Sequence, residues 1–186
     1  MRSKKTIFTI NDVALIWNIT NVDFIRKKIY RYLKSGKIYS LRRGIYSKYK
    51  NYDKFELANK IYTPSYISLE TVLAQAGIIF QYYSQIFIAS YLCRELTIDN
   101  QRYEFRKVKN SILTNSIGIE VKDNYYIASP ERAFLDVVYL NKEYYFDNLA
   151  NINWDKVLEI LPIYSGNKRM ESKVKKYRKE SLKGNK

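Results

Sequence analysis

The stretch Val22-Asp-Phe-Ile25-Arg-Lys-Lys-Ile29-Tyr-Arg-Tyr-Leu33-Lys-Ser-Gly36-Lys-Ile-Tyr-Ser-Leu-Arg42-Arg43-Gly44-Ile-Tyr46-Ser decides the fold of the N-terminal part. Val22, Ile25, Ile29 and Leu33 recur at spacings of three, four and four, which places one apolar stripe on a helix, and Ser35-Gly36 supplies its stop. The run from Lys37 to Ser47 is rich in β-formers and broken at Arg43-Gly44, which predicts a two-stranded ribbon. Upstream, Thr9-Ile-Asn-Asp12 offers an N-cap for a short helix through Val13 to Trp17, and Asn18 to Asn21 reads as a turn. Helix, turn, helix, ribbon is the order of a winged helix-turn-helix.

Charge is distributed to match. Thirteen basic and two acidic residues give residues 1–50 a net charge of +11, residues 51–162 carry −3, and residues 163–186 carry +7. A surface this basic, with a pI near 9.7, collects polyanions, and in a cytoplasm the default polyanion is nucleic acid. Histidine is absent, which removes the usual general base and the commonest transition-metal ligand. One cysteine, Cys93, supports neither an intramolecular disulfide nor a zinc cluster. The basic start lacks an apolar run of signal-peptide length, so a cytoplasmic protein without membrane association or cofactor is expected. The 19 tyrosines are accounted for by the codon bias of an AT-rich genome as readily as by a stacking surface.

On a helical wheel of residues 22 to 34, Lys27 and Arg31 stand nearly opposite the apolar stripe, with Phe24, Lys28 and Lys34 flanking and Arg26 nearer the buried edge. Arginine pairs bidentately with guanine in the major groove, lysine neutralises phosphate, and an exposed Phe24 can touch a thymine methyl. Arg42 and Arg43 at the ribbon tip would reach the backbone or the adjacent minor groove. The same charges could simply be solvated; what favours a DNA-reading face is their coincidence with helix-turn-helix spacing, a basic wing and scarce acids, with only Asp12 and Asp23 before Asp53.

The charge reversal near Lys48 to Asp53 divides a winged helix-turn-helix domain, residues 1–50, from a larger α+β domain, residues 51–186. In the second, helices are expected at Asp53 to Ile61, from a Ser68 cap through Leu69, Val72, Leu73 and Ala76 to Gly77, after Ser129-Pro130, at Asn153 to Leu161 and at Lys168 to Lys179. Strands are expected at Gln85 to Ala89, Tyr103 to Val108 and Gly118 to Ala128. Arg132 and Asp136, four apart, can pair on one helix face as a buried polar tie. The basic last helix, with Met170, Val174 and Tyr177 at helical spacing, fits a solvated terminal helix, an extra phosphate contact or a docking helix.

Three segments look familiar together. Leu33 to Tyr46, Tyr66-Ile-Ser-Leu-Glu70-Thr-Val-Leu73 and Ile127-Ala-Ser-Pro130-Glu-Arg132-Ala-Phe-Leu-Asp136 resemble, in order, the wing and two later signatures of the AbiEi family of antitoxin repressors from type IV toxin-antitoxin operons. The resemblance adds Tyr46, in the arginine-glycine-aliphatic-tyrosine run that closes the wing, to the DNA-binding set. It implies a non-enzymatic repressor of its own two-gene operon, bound to double-stranded DNA upstream, whose body counteracts a nucleotidyltransferase-like toxin.

Three rivals compete with that reading. A stand-alone winged-helix regulator would have no toxin partner. A metal-dependent nuclease would be built on Asp99 and Glu104-Phe-Arg106, where the usual acid-x-lysine order is not met. RNA binding is disfavoured, because the narrow major groove of an RNA helix does not admit a recognition helix.

Overall fold

The computed structural model describes residues 5–164 and 166–184; the basic start at Arg2 and Lys4 lies outside them. The chain begins with β1 (Ile7–Thr9), which passes directly into α1 (Ile10–Trp17). Thr9 and Asp12 form a full capping box, the Thr9 hydroxyl accepting from the Asp12 N–H and the Asp12 carboxylate from the Thr9 N–H. Asn18 then takes a left-handed conformation that ends α1, and Asn21 accepts from the Phe24 N–H to start α2 (Val22–Lys34). β2 (Tyr39–Arg42) and β3 (Ile45–Ser47) follow as the expected hairpin, with Gly44 at φ +82 in its turn. The ribbon has a third member: β1 pairs antiparallel with β3, so β3 is central in the order β1-β3-β2.

The larger part is α+β. Its six-stranded mixed sheet has the order β6-β7-β5-β4-β9-β8, built from β4 (Ser65–Ile67), β5 (Ile86–Ser90), β6 (Arg94–Ile98), β7 (Gln101–Lys107), β8 (Ile119–Lys122) and β9 (Tyr125–Ala128). β4 runs parallel to β9, and β5 parallel to β7; the other pairs are antiparallel. Residues Gly118 to Ala128, expected as one strand, are a hairpin that turns at Asp123, whose φ is +46. Every residue of β5 is buried, as an inner strand covered on both faces requires. The Tyr66 hydroxyl reaches α6 (Pro130–Leu140), so alternation sends Ser65 and Ile67 to the other face, where α3 (Lys54–Ile61) packs on β4, β5 and β9.

α4 (Leu69–Gln75) packs against α6, and α7 (Trp154–Ile160) and α8 (Lys168–Gly184) pack on α6 from beyond; a short α5 (Asn110–Leu113) precedes β8. α6 starts where Ser129-Pro130 predicts, the Ser129 hydroxyl accepting from the Arg132 N–H. The expected Ser68 cap is not made. Ser68 sits at the N-cap of α4 without a side-chain cap bond; its hydroxyl is turned to the buried Asp136 carboxylate, to which it donates at 2.7 Å.

Glu56, on α3, joins the two parts. Its side chain is buried and accepts from the backbone N–H of Thr6 and of Ile7, both at 3.0 Å, and from the Thr6 hydroxyl. Lys60, one turn on, donates to Asp12 of α1 at 3.2 Å, and the Lys48 N–H donates to the Thr6 carbonyl. Ile7 and Ile45 accordingly lie in the same apolar cluster as Leu57, Ala58 and the inner sheet residues.

Candidate nucleic-acid interface

α2 carries the candidate surface. Ile25 and Ile29 are buried against the rest of the N-terminal part and Leu33 is half-buried, whereas Val22, expected on the same stripe, is 44% exposed at the first turn. Two residues on from each buried isoleucine, Lys27 and Arg31 therefore project outward, and both are exposed. Phe24 is half out of the protein at 52% exposure, next to the helix N-terminus.

The other cations on α2 are partly committed. Arg26 lies in the exposed pair Arg26–Asp23 at 3.2 Å, an interaction of small energy in water. The Lys28 ammonium rests 4.3 Å from the centre of the Trp17 ring, so Lys28 is half-buried across the α1–α2 contact instead of flanking an open face. Lys34 sits 5.0 Å from the Tyr30 ring centre.

On the hairpin the sequence-predicted residues separate. The turn is anchored to the start of α1, where the Ile10 N–H donates to the Gly44 carbonyl at 3.3 Å. The Arg42 guanidinium leans over the ring of Tyr62, at 5.7 Å, just past α3. Tyr46 is half-buried on the central strand, opposite Phe8 and Ser40. Arg43 is exposed in the turn itself. Among the described residues no hydrogen bond or ion pair connects the α2 set with the hairpin set, and none engages the side chains of Lys27, Arg31 or Arg43.

Both acidic residues of the region are already occupied. Asp23 holds Arg26, and Asp12 holds Thr9, Lys5 and Lys60. Burial works against ionisation of Asp12, yet hydrogen bonds from the Thr9 backbone and side chain, with the Lys60 ammonium, outweigh it and hold the carboxyl below its ordinary value. The charge on Lys27, Arg31 and Arg43 is thus left without a local counter-ion among these acids. Sequence reading missed the residues that hold this surface in place: β1, Glu56 and Lys60 act across about fifty residues of chain, and no local pattern announces them.

A second basic surface lies on α8. Met170 and Val174 are buried, as their spacing predicts, and Tyr177 donates to the Tyr144 carbonyl at 2.6 Å. Lys168, Lys175, Lys176 and Lys179 are exposed on the outer side, with one exposed pair, Lys176–Glu180 at 3.8 Å.

The carboxylates weighed for a nuclease are engaged elsewhere. Asp99 accepts from the Tyr52 hydroxyl at 2.8 Å in the β6–β7 turn, and Glu104 pairs with Arg106 at 2.8 Å in mid-strand. Among the described residues no group of three or more His, Cys, Asp or Glu side chains is arranged to hold a metal ion, and no helix is long and apolar enough to cross a membrane. Comparison of the chain with family models and with curated proteins finds no match to either.

Proposed function

We propose that residues 1–50 form a winged helix-turn-helix that binds duplex DNA, and that the chain is an AbiEi-like antitoxin which represses its own operon. The observation that carries the DNA half is the outward row of Lys27 and Arg31 on a capped, well-anchored helix, in a part of the chain whose two acids are Asp12, held by Lys60, and Asp23, in an exposed pair with Arg26. α2 is the recognition helix in this reading: Arg31 reads a base edge, Lys27 and Lys34 meet phosphates, and Phe24 lies against a thymine methyl. Arg43 is the wing cation that meets the backbone.

The antitoxin half rests on the three sequence segments that resemble the family. The body, residues 51–186, is the part that counteracts a nucleotidyltransferase-like toxin, and no catalytic step or cofactor enters the reading. A cytoplasmic location goes with it, since that is where the operator is.

A gel shift with DNA from upstream of the gene, against random competitor and at two salt concentrations, tests the DNA half. About six phosphate contacts give log affinity a slope of roughly −5 against log salt. A flat salt response, or no preference over random DNA, removes the repressor. Co-expression with the adjacent reading frame tests the second half: rescue from a toxic neighbour supports the antitoxin, and a harmless neighbour leaves a stand-alone regulator.

A further inference from the structure

At the end of the six-stranded sheet where β5 begins, the first turn of α3, one side of α4 and residues 82–86 surround a cleft of about 520 Å³. That volume lies within the roughly 300–1,000 Å³ typical of small-molecule sites. Phe55, Ala74 and Ile86 give it apolar walls, and Tyr82, 88% exposed, stands at its rim.

Glu70 lines the cleft and is its chemical anomaly. The side chain is 4% exposed; Oε1 accepts from Arg106 Nη1 at 3.3 Å, while Oε2 is buried with no hydrogen-bond partner among the described residues. A buried carboxylate oxygen lacking a donor is costly, and native structures rarely leave one so. The Glu70 carboxylate takes its own backbone N–H, and the nearest charged side-chain donors are turned toward other acceptors. Arg106 Nε is committed to Glu104 Oε1 at 2.8 Å, and Gln85 Nε2 donates to the other Glu104 oxygen at 3.0 Å, so one guanidinium serves two carboxylates. Lys54 donates to Gln101, whose own amide nitrogen is spent on the Ser84 and Arg102 carbonyls. The cleft therefore offers a buried acceptor, a lining in which the Asp53 and Glu70 carboxylates outnumber the Lys54 ammonium by one, and flat apolar surface.

We propose that this cleft binds a small planar cation of the amidinium or guanidinium type, its N–H edge completing Glu70 and its flat face lying against Tyr82. A planar fork of donors matches a carboxylate in two hydrogen bonds, and an aromatic ring favours a cation or a flat π-system over its face. The site is independent of the DNA reading, and its test needs no nucleic acid.

The probe is benzamidine, titrated into the full chain by calorimetry, with neutral benzamide alongside it. Saturable one-to-one binding is expected at a dissociation constant of about 1 mM or tighter, the scale open to a fragment of this size. Benzamide, Glu70→Gln and the exposed-site variant Tyr82→Ala should each weaken it, the first two by about tenfold or more, which is the scale of losing one charge-assisted hydrogen bond. Because Tyr82 makes no core contact, its variant keeps the test decisive even where Glu70→Gln perturbs folding. No saturation at about ten times the expected constant, or equal affinity for benzamide, or binding unchanged in Tyr82→Ala, overturns the proposal.

Discussion

Arg132 Nε lies 3.7 Å from Asp136 Oδ1, one turn further along α6, and both side chains are fully buried. The two charges attract without sharing a hydrogen bond at that atom, for Nε has no partner of its own. Each is instead solvated by polar protein groups. Arg132 donates to the Ile117 carbonyl at 2.9 Å, the Ile112 carbonyl at 2.7 Å and the Tyr66 hydroxyl at 3.2 Å. Asp136 accepts from Tyr66, Ser68 and Tyr164, the last at 2.6 Å. Burial pushes the Asp136 carboxyl up, and the Arg132 charge with the three hydroxyls only partly restrains it. The pair expected from the sequence as a polar tie is thus the centre of a buried network joining α6, β4, the start of α4 and the segment before α8.

Removing one partner should cost far more than the pair contributes, because a buried cation is then left alone. Asp136→Ala should lower the unfolding free energy by about 3–5 kcal/mol, read from the urea midpoint. A loss below about 1 kcal/mol would mean that water or a rearranged side chain replaces the carboxylate.

Acid should release the clasp at α1. Asp12 is held below the ordinary value of 3.8, so its folded-state stabilisation is complete above that value and is lost as pH falls through the lower folded one. Asp12→Asn should therefore be less stable than wild type near neutral pH, and the gap should close below about pH 4. Urea melts at several pH values check this; a constant gap would assign the loss to packing.

Arg31→Ala should cost on the order of 1–3 kcal/mol on the specific operator and little on random DNA. Arg43→Ala should weaken both alike and reduce the salt slope by about one. Equal losses on both DNAs from both variants would take Arg31 out of the specificity role.

Lys28 and Lys27 should differ although they are neighbours. The Lys28 ammonium is stacked on Trp17, so Lys28→Ala should shift tryptophan emission to longer wavelength and reduce DNA affinity less than Lys27→Ala. The reverse order of affinities would show that DNA draws Lys28 off the ring.

Gly118→Ala should destabilise the body. Gly118 has φ +74, and a Cβ there would lie 2.8 Å from Ile160 Cδ1 and 3.0 Å from Arg132 Cβ, so strain adds to overpacking. A loss of about 1–3 kcal/mol is expected from thermal or urea melts.

What the sequence disclosed follows from how local each signal is. α1 and α6 were legible because Thr9 and Ser129 cap them within three residues, and α2 because Ile25, Ile29 and Leu33 repeat at helical spacing. β1 and β4 were not, since three-residue strands have too little alternation to count and their partners lie far along the chain. β6 hid for another reason: Arg94-Glu-Leu-Thr-Ile98 is an edge strand, where charged residues are tolerated and the apolar signal thins out. On α2 the wheel placed Lys27 and Arg31 correctly, whereas Lys28 and Arg42 depend on Trp17 and Tyr62, which belong to other elements. The Ser68 hydroxyl is oriented by Asp136, 68 residues along the chain, which no local capping pattern announces.

The triple acceptor Glu56 has a consequence for anyone who wishes to transplant the basic head onto a different body. A graft cut after Lys50 leaves behind the carboxylate that receives the Thr6 and Ile7 amides, and with it Lys60, the ammonium that steadies Asp12. The first strand would then arrive with two donors facing an unprepared surface. A graft extended through Ile61 brings Glu56 and Lys60 with it, so the fastening of the head ends with the helix that follows the charge reversal and not at the reversal itself, and the new body must cover the Leu57 and Ala58 face that here packs on the sheet.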